Sequence, residues 1–91
     1  MTGVYWSRSA LLDLQRIHDY IALFNPRAGR MMADRLIAEA NRLVNFPHRG
    51  RSVSGTPIRE STLVYPYVIR YRVVGDTVFI LRVRHGRQQP L

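Results

Sequence analysis

Apolar residues recur at three-and-four spacing through the first half of the chain. Ala10, Leu14, Ile17, Ile21 and Phe24 make one stripe, while Arg8, Asp13, Arg16 and Asp19 fall elsewhere on the helical wheel. Ser7 stands just ahead of this run as an N-cap, a position where a hydroxyl accepts a backbone N–H that the first turn leaves unpaired. The pattern predicts a helix opening there. Asn25-Pro26 then ends it and starts another. The residue before a proline is pushed out of helical space, while Asn at the N-cap with Pro at the first position opens a helix. Met32, Leu36, Ala40 and Leu43, widened by Ala33, Ile37 and Val44, form the second stripe, with Arg30, Asp34, Arg35, Asn41 and Arg42 on the polar side. It stops at Phe46-Pro47, so the two helices form an αα-hairpin.

Elsewhere the period is two. Val4-Tyr5-Trp6 is aromatic and β-branched and reads as an edge strand. Gly50, Gly55 and Pro57 mark a loop that carries Arg49 and Arg51; a strand follows over residues 58–64, broken by Tyr65-Pro66. Residues 67–74 and 77–85 form two strands joined by the hairpin signal Gly75-Asp76. The expected fold is α+β and spans residues 1–91 as one domain, with a short N-terminal strand and a helix hairpin packed on a C-terminal antiparallel sheet. A two-residue turn sets Arg72 opposite Phe79, Arg70 opposite Leu81, and Ile69 opposite Arg82. One face then carries Val68, Arg70, Arg72, Phe79, Leu81 and Val83; the other carries Ile69, Tyr71, Val73, Val78, Ile80, Arg82 and Arg84. Neither face is cleanly polar, and the pattern leaves open which one the helices cover.

Charge changes this picture most. Fourteen basic residues oppose six acidic ones, for a net +8, and every basic residue is arginine. Arginine's planar fork pairs bidentately with carboxylate and phosphate, which suits interfaces. Through Phe46, six arginines face Asp13, Asp19, Asp34 and Glu39; from Pro47 onward, eight face only Glu60 and Asp76. The positive field belongs to the C-terminal half, which is therefore expected to engage an acidic partner. With 46% apolar residues the chain can bury a core, and with no cysteine neither a disulfide framework nor a Cys-based zinc site is expected. No apolar run is long enough for a membrane span or a signal sequence, which points to a cytoplasmic protein.

His18, His48 and His85 show no spacing suited to a triad or a metal site, and the glycines form no phosphate-cradling motif. No catalytic residue, metal or cofactor is expected. Neither helix is basic enough to be read as a recognition helix, so direct sequence-specific DNA binding is not expected either. His85 differs from the other histidines in lying within Arg82-Val83-Arg84-His85-Gly86-Arg87, among three guanidiniums at the end of the sheet.

Taken in order, several stretches resemble the RelE/ParE superfamily of type II toxin–antitoxin systems, and in particular its ParE-like branch. They are Trp6-Ser7 with Ala10 and Asp13-Leu14, Ile17 with Tyr20-Ile21, Asn25-Pro26, Phe46-Pro47 with Gly50-Arg51, and Gly55-Thr56. The run from Pro66-Tyr67-Val68 through Arg82-Val83 to His85-Gly86-Arg87 is the most diagnostic. The resemblance implies a toxin neutralised by a cognate acidic antitoxin, the pair stabilising a plasmid or chromosomal locus. ParE-like members poison DNA gyrase; the RelE-like branch cuts ribosome-bound mRNA with basic residues on the sheet and often a C-terminal tyrosine. Here the position of the catalytic arginine falls on Val68, no lysine accompanies Arg59-Glu60-Ser61, and no tyrosine follows Arg87. The expectation is a gyrase-binding toxin, with mRNA cleavage as the alternative. Arg82, Arg84, His85 and Arg87, with Arg49 and Arg51, are expected to meet the target, and Tyr20, Phe24, Arg70 and Arg72 to meet the antitoxin, whose C-terminal segment packs along the hairpin and adds to the sheet.

Overall fold

A computed structural model describes residues 3–87. The first strand, β1 (Gly3–Trp6), runs directly into Ser7, whose hydroxyl accepts the Ala10 N–H at 3.0 Å and opens α1 (Arg8–Ala22). The Asn25 side chain accepts the Ala28 N–H at 3.1 Å, and Pro26 begins α2 (Pro26–Asn45). Phe24 was expected to end the α1 stripe but lies beyond the helix and is exposed. The reason is local, because the Phe24 and Asn25 N–H groups both bond the Ile21 carbonyl and turn the chain before a further helical residue can form. Gly29 lets the helices approach closely, since a Cβ there would lie 2.9 Å from the His18 carbonyl oxygen.

The remaining strands are β2 (Arg51–Ser52), β3 (Ile58–Ser61), β4 (Tyr67–Val74) and β5 (Thr77–His85), and the sheet order is β1-β5-β4-β3-β2. The C-terminal strands pair antiparallel as expected, and β1 adds to their edge parallel to β5, so the five-stranded sheet is mixed. The β2 strand lies in what reads as loop, where Arg51 and Ser52 pair with Glu60 and Arg59. Residues 62–64 of the expected strand are outside β3. Gly75, at φ 61°, makes the β4–β5 turn in a conformation that glycine adopts without cost.

Register holds from that turn through Tyr71 opposite Ile80 and then slips by one, placing Arg70 opposite Arg82 and Ile69 opposite Val83. Leu81 is the extra residue, a β-bulge. The neighbouring chain braces it: the Ser7 N–H donates to the Ile80 carbonyl and the Ser7 hydroxyl to the Leu81 carbonyl, both at 2.9 Å. The slip corrects the expected faces, exchanging Val83 with Arg82 and Arg84. Ile69, Tyr71, Val78, Ile80 and Val83 now share one buried face, packed against Ala10 of α1 and Leu36, Ala40 and Leu43 of α2. Each fully buried valine, leucine or isoleucine there stabilises the fold by about 1.5–3 kcal/mol. Tyr71 adds a polar anchor, its hydroxyl donating to the Pro47 carbonyl at 2.7 Å and accepting the Gly50 N–H at 3.0 Å. Burial pushes that phenol above its usual pKa. On the opposite face, Tyr5 and Phe79 stack with ring centroids 5.9 Å apart and Phe79 sits opposite Arg72.

Candidate functional site

β1 accompanies β5 only as far as Ile80, because the chain leaves the sheet at Ser7 to form α1. Past that point, among the described residues, no strand pairs with the edge of β5 on that side. Asp13 of α1 takes its place: Oδ2 accepts the Val83 N–H at 2.9 Å and the Arg82 Nε–H at 2.8 Å, and Oδ1 accepts from Arg82 Nη2 at 3.1 Å. Burial alone would raise this carboxyl's pKa. The hydrogen bonds from Arg82 and Val83, with the charges of Arg82 and Arg84, outweigh burial and hold it below the ordinary range. The same bond raises the pKa of Arg82, which stays charged throughout.

Between this end of β5 and α1 lies a cleft of about 300 Å³. Arg16, Ile17 and Tyr20 line it from α1, Tyr67 from β4, and Arg82, Arg84 and His85 from β5, with Asp13 at its base. Its ionisable groups comprise three guanidiniums, one carboxylate, two phenols and an imidazole, so its charge is positive. Arg82 is fixed by Asp13, whereas Arg84 has a buried Nε with no hydrogen-bond partner among the described residues. Such a donor carries the cost of lost hydration that an acceptor would relieve. Tyr67 packs edge-on against the His85 ring at 5.7 Å, and burial raises its phenol pKa. His85 Nδ1 accepts the Arg87 N–H at 3.1 Å, setting the imidazole with respect to the chain that follows.

Of the residues expected to meet a target, Arg82, Arg84 and His85 therefore share the cleft, and Arg87 stands exposed beside it. Arg51 and Arg49 do not. Arg51 is on β2 at the far edge of the sheet, where Nε and Nη2 donate to Glu60 Oε1 at 3.2 and 3.0 Å. Arg49 lies 3.7 Å from Glu39, its guanidinium 5.9 Å from the centre of the Phe46 ring. The residues expected to meet an antitoxin also divide. Tyr20 and Phe24 touch edge-to-face at 5.6 Å, both exposed at the hairpin end, with Tyr20 also reaching the cleft. Arg70 and Arg72 occupy the sheet, Arg70 bound to Glu60 Oε2 at 3.1 and 2.8 Å and Arg72 exposed. Burial would raise the Glu60 pKa, but the bonds and charges of Arg70 and Arg51 bring it below its usual value.

The expectations missed the carboxylates. Asp13, Glu39 and Glu60 are all buried, and each holds at least one arginine. A signal was present, and it corrects the placing of Asp13 off the apolar stripe: Asp13 lies three residues after Ala10 and four before Ile17, and Glu39 three after Leu36 and four before Leu43, inside the apolar stripes. Acids at such positions are buried and need partners. Among the described residues, no three of His, Cys, Asp and Glu gather into a possible metal site, and no helix is long and apolar enough to cross a membrane.

Known proteins agree with this architecture. The family model for the ParE toxin of the type II toxin–antitoxin system parDE matches residues 4–90. Toxin RelE2 of Caulobacter vibrioides is 47% identical over 86 residues, covering 94% of this chain and 97% of that protein. Toxin RelE1 of the same organism is 36% identical over 80 residues, covering 85% of each. A solved structure of the chromosomal ParDE toxin–antitoxin system from P. aeruginosa superposes with a TM-score of 0.79 at 28% identity, covering 93% of this chain and 96% of that one. With the family match running nearly end to end over a fold of two helices and a five-stranded mixed sheet, this chain belongs to the ParE toxin family of type II toxin–antitoxin systems.

Proposed function

We propose that this toxin works by binding DNA gyrase, and not by cleaving a substrate, through the cleft end of β5 carrying Arg82, Arg84, His85 and the adjacent Arg87. The observation that carries this reading is geometric: the cleft's carboxylate and one of its arginines are already committed to each other and to the backbone of β5. A general base suited to deprotonating a ribose hydroxyl needs a pKa near the working pH. Asp13 accepts three hydrogen bonds and is displaced downward, while Tyr67 is displaced upward, so both move away from that range. Arg82 is already paired, and Val68, at the position of the RelE-branch catalytic arginine, is buried and apolar. What the cleft offers is a fixed positive surface for an acidic protein or its DNA. An acidic antitoxin in the cytoplasm would cover Tyr20 and Phe24 on the hairpin and Arg70 and Arg72 on the sheet, and the pair would stabilise the plasmid or chromosomal locus that encodes it.

A second reading, ribosome-dependent mRNA cleavage, draws on His85 standing beside Arg84 and Tyr67 in that cleft, and on the name RelE carried by two relatives. Two assays on the purified toxin separate them. Gyrase inhibition predicts blocked supercoiling with accumulation of cleaved DNA and an intact translated message. Codon-positioned cuts in primer extension, with gyrase unaffected at large toxin excess, would reverse the assignment. Co-expression with the neighbouring reading frame tests the antitoxin: copurification and rescue of growth are expected, and failure of both contradicts it.

A further inference from the structure

On another part of the surface, three arginines surround a buried acid. Arg35 and Arg42 lie on α2 and Arg49 on the loop after it; together with Leu63 they rim a depression of about 250 Å³ that shares no lining residue with the β5 cleft. Glu39 lines it too and is only 1% exposed. Its Oε2 accepts the Ser61 hydroxyl at 2.8 Å, but the arginines stay farther off, Arg42 Nη1 at 3.5 Å and Arg49 Nε at 3.7 Å. Elsewhere Arg82, Arg70 and Arg51 spend the fork on a carboxylate at 2.8–3.2 Å. Separations of 3.5–3.7 Å are ion-pair distances beyond ordinary hydrogen-bond length, so Arg42 and Arg49 keep their N–H donors for another acceptor. Arg35 pairs with no carboxylate among the described residues and is exposed.

We infer that Arg35, Arg42 and Arg49 form a second binding site, for the phosphodiester backbone of a nucleic acid. Three positive charges against one buried negative leave the depression in need of anions. Arg42 lies seven positions after Arg35, about 10 Å along the helix axis and on the same face, so the two reach separate anions of a repeating chain and not a single ion. The arginine fork matches a phosphate's non-bridging oxygens. Among the described lining residues only Leu63 is large, apolar and exposed, and the nearby Phe46 ring lies under the Arg49 guanidinium, so the site has little to anchor a folded peptide, whereas counterion release from phosphates needs only the charges. Glu39 positions the two nearer guanidiniums without saturating them. The site stands apart from the gyrase reading and survives its failure, because it depends on no residue of the β5 cleft.

The test is fluorescence anisotropy of the full chain with a short labelled duplex DNA and a short labelled single-stranded RNA across a salt series, comparing wild type with Arg35→Gln/Arg42→Gln. Arg49 is kept so that Glu39 retains a partner, and thermal melting checks folding. Removing two phosphate contacts should weaken binding several-fold at low salt and flatten the slope of log K against log salt by about 1.8 for the duplex or about 1.4 for the single strand. Arg35→Gln alone, which breaks no ion pair, should flatten it by about half as much. An effect with the duplex only, the RNA only, or both supports the site and identifies its source. Unchanged affinity and slope for both nucleic acids in folded variants overturns it. So does competition by polyglutamate without any nucleic-acid effect, which would assign the arginines to an acidic protein segment.

Discussion

Asp13 and Glu39 occupy equivalent places in the two helices, each an acid inside an apolar stripe, and each is buried. Their surroundings differ. Asp13 takes three hydrogen bonds at 2.8–3.1 Å, one of them from the backbone of β5, and closes a sheet edge that β1 abandons. Glu39 takes one from a serine hydroxyl and holds two arginines at 3.5 and 3.7 Å. Burial thus serves two ends: Asp13 fastens helix to strand, while Glu39 gathers charge that remains available at the surface. A buried acid is informative through the length and number of its bonds, not through its burial alone.

The largest expected break in that comparison comes from Asp13→Asn. The substitution removes the charge opposite Arg82 and leaves one carbonyl oxygen to serve donors that now use two. Because Arg82 is partly exposed and can be rehydrated, the loss should be about 2–4 kcal/mol, at the low end for a broken buried pair, read from the urea midpoint at unchanged m-value. The pH dependence sharpens it. The folded-state pKa of Asp13 lies below its ordinary 3.8, so its contribution is complete above that value and lost as pH falls through the lower folded value. The wild-type and Asp13→Asn stabilities should therefore converge in strong acid, and a constant difference down to the lowest pH would refute the linkage. Glu60 shifts in the same direction and should leave a residual acid dependence in the variant.

Ser7→Ala comes next. That one hydroxyl caps α1 and donates to the Leu81 carbonyl at the bulge, so its loss should cost about 1–2 kcal/mol. Glu39→Gln should have the smallest effect, about 1 kcal/mol, since the amide oxygen still accepts from Ser61 and the arginines lose only long pairs, leaving as the main cost the buried amide N–H groups that replace one oxygen. A loss from Glu39→Gln as large as that from Asp13→Asn would erase the distinction between the two acids.

Much of the fold was legible because local chemistry determined it. Ser7 and Asn25-Pro26 marked the helix starts, and Gly75-Asp76 fixed the turn, with β4 and β5 found at their expected bounds. The bulge was not legible. An inserted Leu81 leaves alternation on both sides intact, and only contacts with Ser7, 74 residues away, reveal it. That single slip decided which face carries Arg82 and Arg84, so the faces were misread while the strands were right. The parallel pairing of β1 and the two-residue β2 likewise depend on long-range contacts. Proximity in sequence brings Arg82, Arg84 and His85 into one cleft. Charge alone grouped Arg49 and Arg51 with them, and it carries no position: both have carboxylates of their own elsewhere.

The most direct test of the binding-toxin reading is a gyrase supercoiling assay with wild-type toxin and Arg84→Gln, whose guanidinium lines the cleft and, among the described residues, makes no ion pair at contact distance. Wild type should block supercoiling and accumulate cleaved DNA, and the folded variant should need about ten-fold more protein for the same effect, a loss in the range of one charge-assisted contact. Undiminished supercoiling at large wild-type excess, or equal potency of the two proteins, would contradict it.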